Sequence, residues 1–324
     1  MKKILFLTLA AATLFSCAKD QLLTQNREAI TFENAFVDNA TKAIDPSITT
    51  TTLNSFVVYG TTQGDEKNAD GEVIAPVVNI FPGVTVSGSS TTPWTYDDNA
   101  TQYWIAGNTY NFAAVVNGEV AVDANNGMPA SIAYDAETQT DLLYATASAN
   151  GVADSNPKVA FTFDHLLSKV KFTFKNTSPA ETNTGYTYKV TDIQVLEAGK
   201  KATYTMTGKW AAPTSTYTAA FGHIVSAGTT TAEDAVNVAS NTSYSSNYER
   251  LMIPSTTNVT VSCRIALLYG NQEVDVNNYS EEVTLDLEPG QAYNFILSAS
   301  VGEPIEFTVT KVNEWDTTSG ETTL

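Results

Sequence analysis

Two histidines, His165 and His223, are the residues that could most readily give this chain catalytic chemistry. A catalytic histidine needs a carboxylate that orients it and a nucleophile or a metal ion beside it. Asp164 precedes His165 in "FTFDHLLSKVKF", but neighbouring side chains on a strand point to opposite faces, so Asp164 is badly placed to orient it. No second catalytic group accompanies His223 in "AAFGHIVSAG". We therefore interpret His165 as a structural residue.

Sequence motifs of known catalytic and metal sites are missing as well. The chain contains no HExxH, GxSxG, GxxxxGKS/T, CxxC or GxGxxG pattern, and two histidines disfavour a histidine-rich zinc site. Asp97 and Asp98 could be calcium ligands, although "YDDNAT" is more simply a turn. A carboxylate pair for glycoside hydrolysis stays open, because the separation that matters is spatial. We predict no enzyme, no metal and no cofactor.

The tryptophans could serve a second function, the stacking of sugar rings. They are Trp94, Trp104, Trp210 and Trp315. On this alternative the chain is a monomeric surface lipoprotein that binds glycan. Apolar or aromatic neighbours, as in "TQYWIAGNTYNFAAVV", favour the simpler interpretation that these rings fill a β-sheet core.

The N-terminus has the layout of an export signal. Lys2 and Lys3 precede an apolar run at residues 4–15, which is too short for a bilayer span of roughly twenty residues. The run ends in "LFSC", which resembles the bacterial lipobox and makes Cys17 the expected site of lipidation. Each buried methylene of an acyl chain contributes about 0.8 kcal/mol, so two or three chains hold a protein on a membrane. We predict a signal peptide at residues 1–16 and a polar tether at 17–28.

Composition and charge favour an exported all-β protein. The chain has 324 residues, 16% of them charged, and a net charge of −18. Such an acidic chain without a basic run would be repelled by a polyanion, so we expect no nucleic-acid partner. Cys263 shares one face of an alternating run, "NVTVSCRIALLYG", and is predicted to be an inert core thiol.

Short runs of alternating apolar and polar residues, separated by turn residues, predict the strands. The clearest is "KVKFTFKN" at residues 169–176, and "EVTLDLEPGQAYNFILSASV" is predicted to be a hairpin with its turn at 288–291. Further strands are predicted at residues 29–36, 53–59, 77–81, 110–116, 142–146, 159–163, 186–196 and 305–312. Such runs are typical of sandwiches, in which a second sheet covers the first.

The segment at residues 147–158, "ASANGVADSNPK", has the small and polar composition of a linker. We therefore predict an N-terminal β-sandwich domain at residues 29–150 and a C-terminal β-sandwich domain at residues 158–324. About three hundred residues remain after the signal and tether, which is the length of two domains of ordinary size.

Several stretches, in this order, resemble the fimbrillin family, the pilins and pilus-associated lipoproteins of Bacteroidales surfaces that build the type V pilus. They are the signal ending at Cys17, "AITFENAFVDNATKA", "TTLNSFVVYG", "PWTYDDNATQYWIAGNTYNFAAV", "VAFTFDHLLSKVKFTFKN", "ERLMIPS", "LEPGQAYNFILS" and "IEFTVTKVNEW". The resemblance covers nearly the whole chain.

The resemblance implies two transthyretin-like (Ig-like, Greek-key) β-sandwich domains in tandem and no catalysis. It also implies an outer membrane lipoprotein precursor that a trypsin-like protease cuts after Arg or Lys. Loss of the N-terminal strand then opens a groove, and a strand from another pilin subunit fills it by donor-strand exchange. The expected location is the cell surface, in a fimbrium, with a role in cell adhesion or biofilm formation toward an unidentified host or bacterial ligand.

In this sequence the removable strand would be "AITFENAF", with Ile30, Phe32 and Ala35 pointing inward. A cut at Arg27 would only free the protein from lipid, whereas a cut at Lys42, after the strand, would open the groove, so we favour Lys42. After Trp315 only "DTTSGETTL" remains, which is short and polar for a donor strand. This favours a tip or accessory subunit, although "IEFTVTKV" could itself be the donor.

Overall fold

The computed structural model describes residues 28–37, 48–152, 156–182, 184–226 and 234–312. These residues form an all-β structure of three sheets, with two short 3-10 turns at Asp98–Ala100 and Ala136–Thr138. The strands are β1 (Phe32–Val37), β2 (Ser55–Gln63), β3 (Val77–Ser87), β4 (Thr109–Val116), β5 (Glu119–Val122), β6 (Pro129–Asp135), β7 (Leu143–Asn150), β8 (Val159–His165), β9 (Ser168–Asn176), β10 (Tyr186–Thr205), β11 (Lys209–Trp210), β12 (Ser215–Gly222), β13 (Ile224–Val225), β14 (Asn237–Ala239), β15 (Thr242–Ser246), β16 (Arg250–Met252), β17 (Thr256–Tyr269), β18 (Gln272–Asp286), β19 (Ala292–Ala299) and β20 (Glu306–Val312). None of the described segments is a helix long and apolar enough to cross a membrane.

The first sheet has the order β1-β8-β7-β4-β2-β3. Isolated bridges join Ser87 of β3 to Thr95 and join Trp94 to Phe32 of β1. The sheet is therefore curved, and residues 94–95 connect its two outer strands, β1 and β3. Its core is rich in aromatic rings, with Phe56, Phe81, Phe112, Phe161 and Phe163 all buried.

The other two sheets face each other across a second core. The second sheet has the order β18-β17-β10-β6-β5, with β11, β12 and β14 also paired to β10, and the third has the order β13-β15-β9-β19-β20, with β16 paired to β9. Alternate residues of β9 and β19, such as Phe172, Phe174 and Phe295, meet Val190 and Ile265 from the opposite sheet. The alternation predicted for these strands is confirmed.

The hairpin predicted between residues 283 and 297 is wrong. β18 pairs with β17 in the second sheet, whereas β19 pairs with β9 and β20 in the third. The turn between β18 and β19 therefore carries the chain across the core from one sheet to the other. Leu285, Leu287, Phe295 and Leu297 still share one core, because strands in facing sheets direct the same apolar faces inward.

Strand pairing crosses the predicted linker at residues 147–158. Residues 147–150, assigned to the linker, continue β7, where small side chains pair with β4 as an ordinary ladder. β8, which was expected in the C-terminal domain, pairs with β7 and with β1 in the first sheet. β6 pairs with β10, so the second sheet contains strands from both sides of the linker. The two-domain division at residues 29–150 and 158–324 stays a prediction.

Candidate functional site

β1 lies in a groove between β8 and the segment at residues 94–104. On one side β1 runs parallel to β8, with Phe32 opposite Val159, and the Val159 amide donates to the Thr31 carbonyl at 2.8 Å. On the other side the Ile30 amide donates to the Gln102 carbonyl at 2.8 Å, and the Trp104 amide donates to the Glu28 carbonyl at 3.0 Å. The segment at residues 28–32, which leads into β1, is thus bound through its backbone along both edges.

The Tyr96 hydroxyl adds a side-chain contact to this backbone pairing. It donates to the Ile30 carbonyl at 2.6 Å. Burial raises the pKa of Tyr96 above its ordinary value, so the hydroxyl keeps the proton that it donates. The first strand is therefore fixed in register at its N-terminal end.

The side chains predicted to point inward are buried. Ile30, Phe32 and Ala35 are each 5% exposed or less, and Val37, which the sequence interpretation omitted, is buried as well. The register between β1 and β8 shifts between Glu33 and Phe36, which is a β-bulge. The bulge changes which residues face the core, so the inward set passes from even to odd positions. In "AITFENAFV" the apolar residues change from even positions (Ile30, Phe32) to odd positions (Ala35, Val37). This change could have predicted from the sequence that Val37 faces inward.

Phe32 is the centre of an aromatic cluster. Its ring centroid lies 5.7 Å from those of Phe81 and Tyr96 and 6.0 Å from that of Phe161. The rings of Phe56 and Phe112 lie 6.3 Å away on other sides. A single side chain of the first strand therefore packs among five aromatic rings of the first core.

The chain on both sides of residues 38–47 is anchored. The Val37 amide donates to Thr50 Oγ1 at 2.9 Å, and the Ile48 amide donates to Asp141 Oδ2 at 2.8 Å. Lys42, the predicted cut site, lies between these anchors but outside the described residues, as do Arg27 and Cys17. Their roles stay predictions.

His165 lies beside a carboxylate that the sequence interpretation did not consider. Its Nδ1 is 2.8 Å from Asp141 Oδ2, and both side chains are buried. Asp164, the neighbour in sequence, faces outward on β8, as the alternation predicts. Asp141 Oδ2 also accepts a hydrogen bond from the Ile48 amide. The His165–Asp141 pair therefore connects β8 to the segment that follows residues 38–47. This contact supports the structural interpretation of His165.

The other candidate ligands have local structural contacts. Asp97 accepts from the Asn99 amide at 2.8 Å and begins the 3-10 turn at Asp98–Ala100, as predicted for "YDDNAT". The His223 amide donates to Asn247 Oδ1 at 3.0 Å. Across the part of the chain that the structure describes, no three His, Cys, Asp or Glu side chains are grouped to hold a metal ion.

The three tryptophans that the structure describes do not form an exposed sugar-stacking platform. Trp94 and Trp104 are buried in the first core. Trp210 is half-buried and its Nε1 donates to the Leu166 carbonyl at 2.8 Å. Trp315 lies outside the described residues. The glycan interpretation loses its evidence for the three described rings, because the first core buries two of them and the third packs half-buried against the protein and is hydrogen-bonded.

Cys263 is buried in the second core, as its alternating run predicts. Burial raises the pKa of its thiol to about 12. We expect iodoacetamide at neutral pH to modify Cys263 at least about a hundredfold more slowly in the folded chain than in urea, because only the thiolate reacts. Mass spectrometry of the peptide containing Cys263 measures both rates. Rapid labelling without denaturant would show that the thiol is accessible.

Comparisons with known proteins identify a family and a fold. Residues 41–315 match the family described as Fimbrillin-like. A fimbrial protein from Bacteroides vulgatus is structurally similar with a TM-score of 0.61 at 15% identity, over 90% of this chain and 100% of that one. At this identity the similarity shows the fold alone.

Two further solved structures are more distant. A proposed cell adhesion protein from Bacteroides uniformis has a TM-score of 0.48 and 18% identity, over 90% of this chain and 99% of that one. Another from Bacteroides ovatus has a TM-score of 0.49 and 16% identity, over 91% and 99%. Among curated proteins, none matches significantly. Because the family match spans most of the sequence, the chain belongs to the fimbrillin-like family.

Proposed function

We propose that this protein is a structural subunit of a fimbria with a role in cell adhesion or biofilm formation, and that it is not an enzyme. It is exported as a lipoprotein precursor, anchored to the outer membrane through Cys17 and displayed at the cell surface. Other pilin subunits are its partners, and it assembles with them by strand exchange between transthyretin-like β-sandwich domains. Family membership and the geometry of β1 support this proposal.

The observation that carries the proposal is the placement of β1. Without the segment at residues 28–37, which contains β1, backbone groups of Val159, Gln102 and Trp104 would lose their partners. The rings of Phe81 and Phe161 would lose the side chain that covers them. Water can satisfy the polar groups but not the apolar ones, whereas an incoming strand satisfies both. In such strand addition the backbone provides affinity and alternating pockets fix the register.

β20 is the donor strand that the described chain could supply. It pairs with β19 alone among the described strands, and most of its residues are exposed. Phe307 and Val309 lie on the same face of β20, as Ile30 and Phe32 do in the segment at residues 28–37. A stalk subunit would donate this strand to a neighbour. A tip or accessory subunit, which accepts a strand without giving one, would keep β20 on β19.

Limited proteolysis with a trypsin-like enzyme tests the proposal. We expect a cut after Lys42 that releases β1 and converts monomers into oligomers, because the emptied groove accepts a strand from another copy. Size-exclusion chromatography with mass spectrometry of the new N-terminus measures both events. Lys42→Ala should prevent the conversion, whereas Arg27→Ala should not. A chain that is cut at Lys42, loses β1 and remains monomeric would refute strand exchange.

A further inference from the structure

The last residue of β1 is fixed by a side chain that lies outside the strands of its sheet. The Val37 amide donates to Thr50 Oγ1 at 2.9 Å, and the Thr50 hydroxyl donates to the Val37 carbonyl at 3.4 Å. A hydroxyl can accept and donate at once, so one side chain contacts both backbone groups of Val37. The C-terminal end of β1 therefore has a polar anchor, as the segment leading into it has in Tyr96.

Thr50 belongs to a compact turn at residues 48–53. The Thr49 amide donates to Thr52 Oγ1 at 2.8 Å, and the Leu53 amide donates to the Thr49 carbonyl at 2.8 Å. These contacts fix the shape of the turn but not its position in the protein. Leu53 is buried in the first core and holds the C-terminal end of the turn. The N-terminal end, at Ile48, needs an anchor of its own.

Asp141 supplies this anchor, and His165 stabilises it. Asp141 Oδ2 accepts from the Ile48 amide at 2.8 Å and lies 2.8 Å from His165 Nδ1. Both side chains are buried, and a carboxylate is stable in a buried site only where polar or charged partners replace water. The side-chain amide of Asn117 donates to the Asp141 carbonyl and fixes the backbone there. The carboxylate therefore depends on His165 to remain where it can hold Ile48.

We propose that Asp141 and His165 are positioning residues of the β1 groove, which set the point at which a strand ends in it. His165 keeps the Asp141 carboxylate in its buried site, and Asp141 holds the turn that presents the Thr50 hydroxyl. The groove thus has polar anchors for residues 30 and 37 of the strand that it binds. A strand of another length or register would leave one anchor without its backbone partner, which is unfavourable in a buried site.

This role rests on the proposed function, because an anchor that selects the register of a strand has its use when strands are exchanged. The turn at residues 48–53 follows Lys42 in the sequence, whereas β1 precedes it. A cut at Lys42 would remove β1 and leave Thr50, Asp141 and His165 in the chain. A strand that replaces β1 would therefore meet the same anchor.

Hydrogen–deuterium exchange of the uncut full-length chain, resolved by residue, tests the role of Asp141. We expect Asp141→Ala to raise the exchange rate of the Val37 amide at least about tenfold and that of the Ile30 amide less than about twofold. The Ile30 amide is the internal reference, because it donates to the Gln102 carbonyl at the other end of the groove. Equal increases at both amides would indicate general destabilisation and would overturn the proposal.

Two further variants distinguish positioning from a general loss of stability. Asp141→Asn keeps an oxygen that can accept from the Ile48 amide, so it should restore most of the protection of Val37. Asn176→Ala is the matched control, because Asn176 is buried in the third sheet and its Nδ2 donates to the Val238 carbonyl at 3.0 Å. It should leave the ratio of the Val37 and Ile30 rates unchanged. A changed ratio in Asn176→Ala would contradict a specific role for Asp141.

Combined substitutions establish that these residues act through one another. His165→Leu removes Nδ1 but keeps an apolar side chain, and it should raise the Val37 rate no further when Asp141→Ala is already present. Thr50→Val removes the hydroxyl itself, so Asp141→Ala added to it should not change the Val37 rate. Additive effects in either pair would overturn the proposal. None of these results depends on cleavage at Lys42 or on oligomer formation, so strand exchange is tested separately.

Discussion

Phe32→Ala is expected to lower the free energy of unfolding of the uncut chain by about 4 kcal/mol, as for other large aromatic residues in cores. The phenylalanine ring fills the space among five other aromatic rings, and the alanine would leave a cavity that curved strands cannot close. Urea denaturation followed by tryptophan fluorescence measures the change, since Trp94 lies in the same core.

Phe36→Ala in the same strand is the matched control. Phe36 is 52% exposed, so its loss should change the free energy of unfolding by no more than about 0.5 kcal/mol. Equal effects of the two substitutions would mean that β1 does not complete the first core. That result would remove the physical basis for strand exchange. If β1 did not pack into the first core, its removal would expose no apolar groove for another strand to fill.

A synthetic peptide of residues 29–37, added to the chain cut at Lys42, is expected to suppress oligomer formation. At ten times its dissociation constant the peptide occupies about nine grooves in ten, so open grooves decrease about tenfold. The peptide restores the hydrogen bonds to Gln102 and Val159 and returns Phe32 to its cluster. Light scattering after cleavage measures the rate of growth with and without the peptide.

A variant peptide distinguishes insertion into the β1 groove from nonspecific binding elsewhere on the chain. With Asp in place of both Ile30 and Phe32, the peptide keeps its length but would bury two carboxylates in an apolar groove, so it should not inhibit. Inhibition by both peptides would show that the effect is not insertion. Failure of the natural peptide while oligomers still form would place the contact between subunits elsewhere than in the β1 groove.

Local features of the sequence were sufficient for several strands and for most of their inward faces. Alternation predicted the segments that became β1, β2, β4, β8 and β9, and it placed Cys263 inward. It also predicted Ile30 and Phe32 as buried positions of the first strand. Side chains on a strand alternate between its two faces, so burial on one face is recorded in consecutive residues and needs no knowledge of the rest of the chain.

The partners of these strands were decided only by the tertiary structure. β18 and β19 have the pattern of a hairpin, yet they lie in facing sheets, because the pattern of a strand is the same whichever sheet contains it. Asp141, distant in sequence, supplies the carboxylate beside His165, and a bulge directs Val37 inward. Alternation states which face of a strand is buried, whereas pairing depends on contacts between residues far apart in the chain, which a local pattern does not encode.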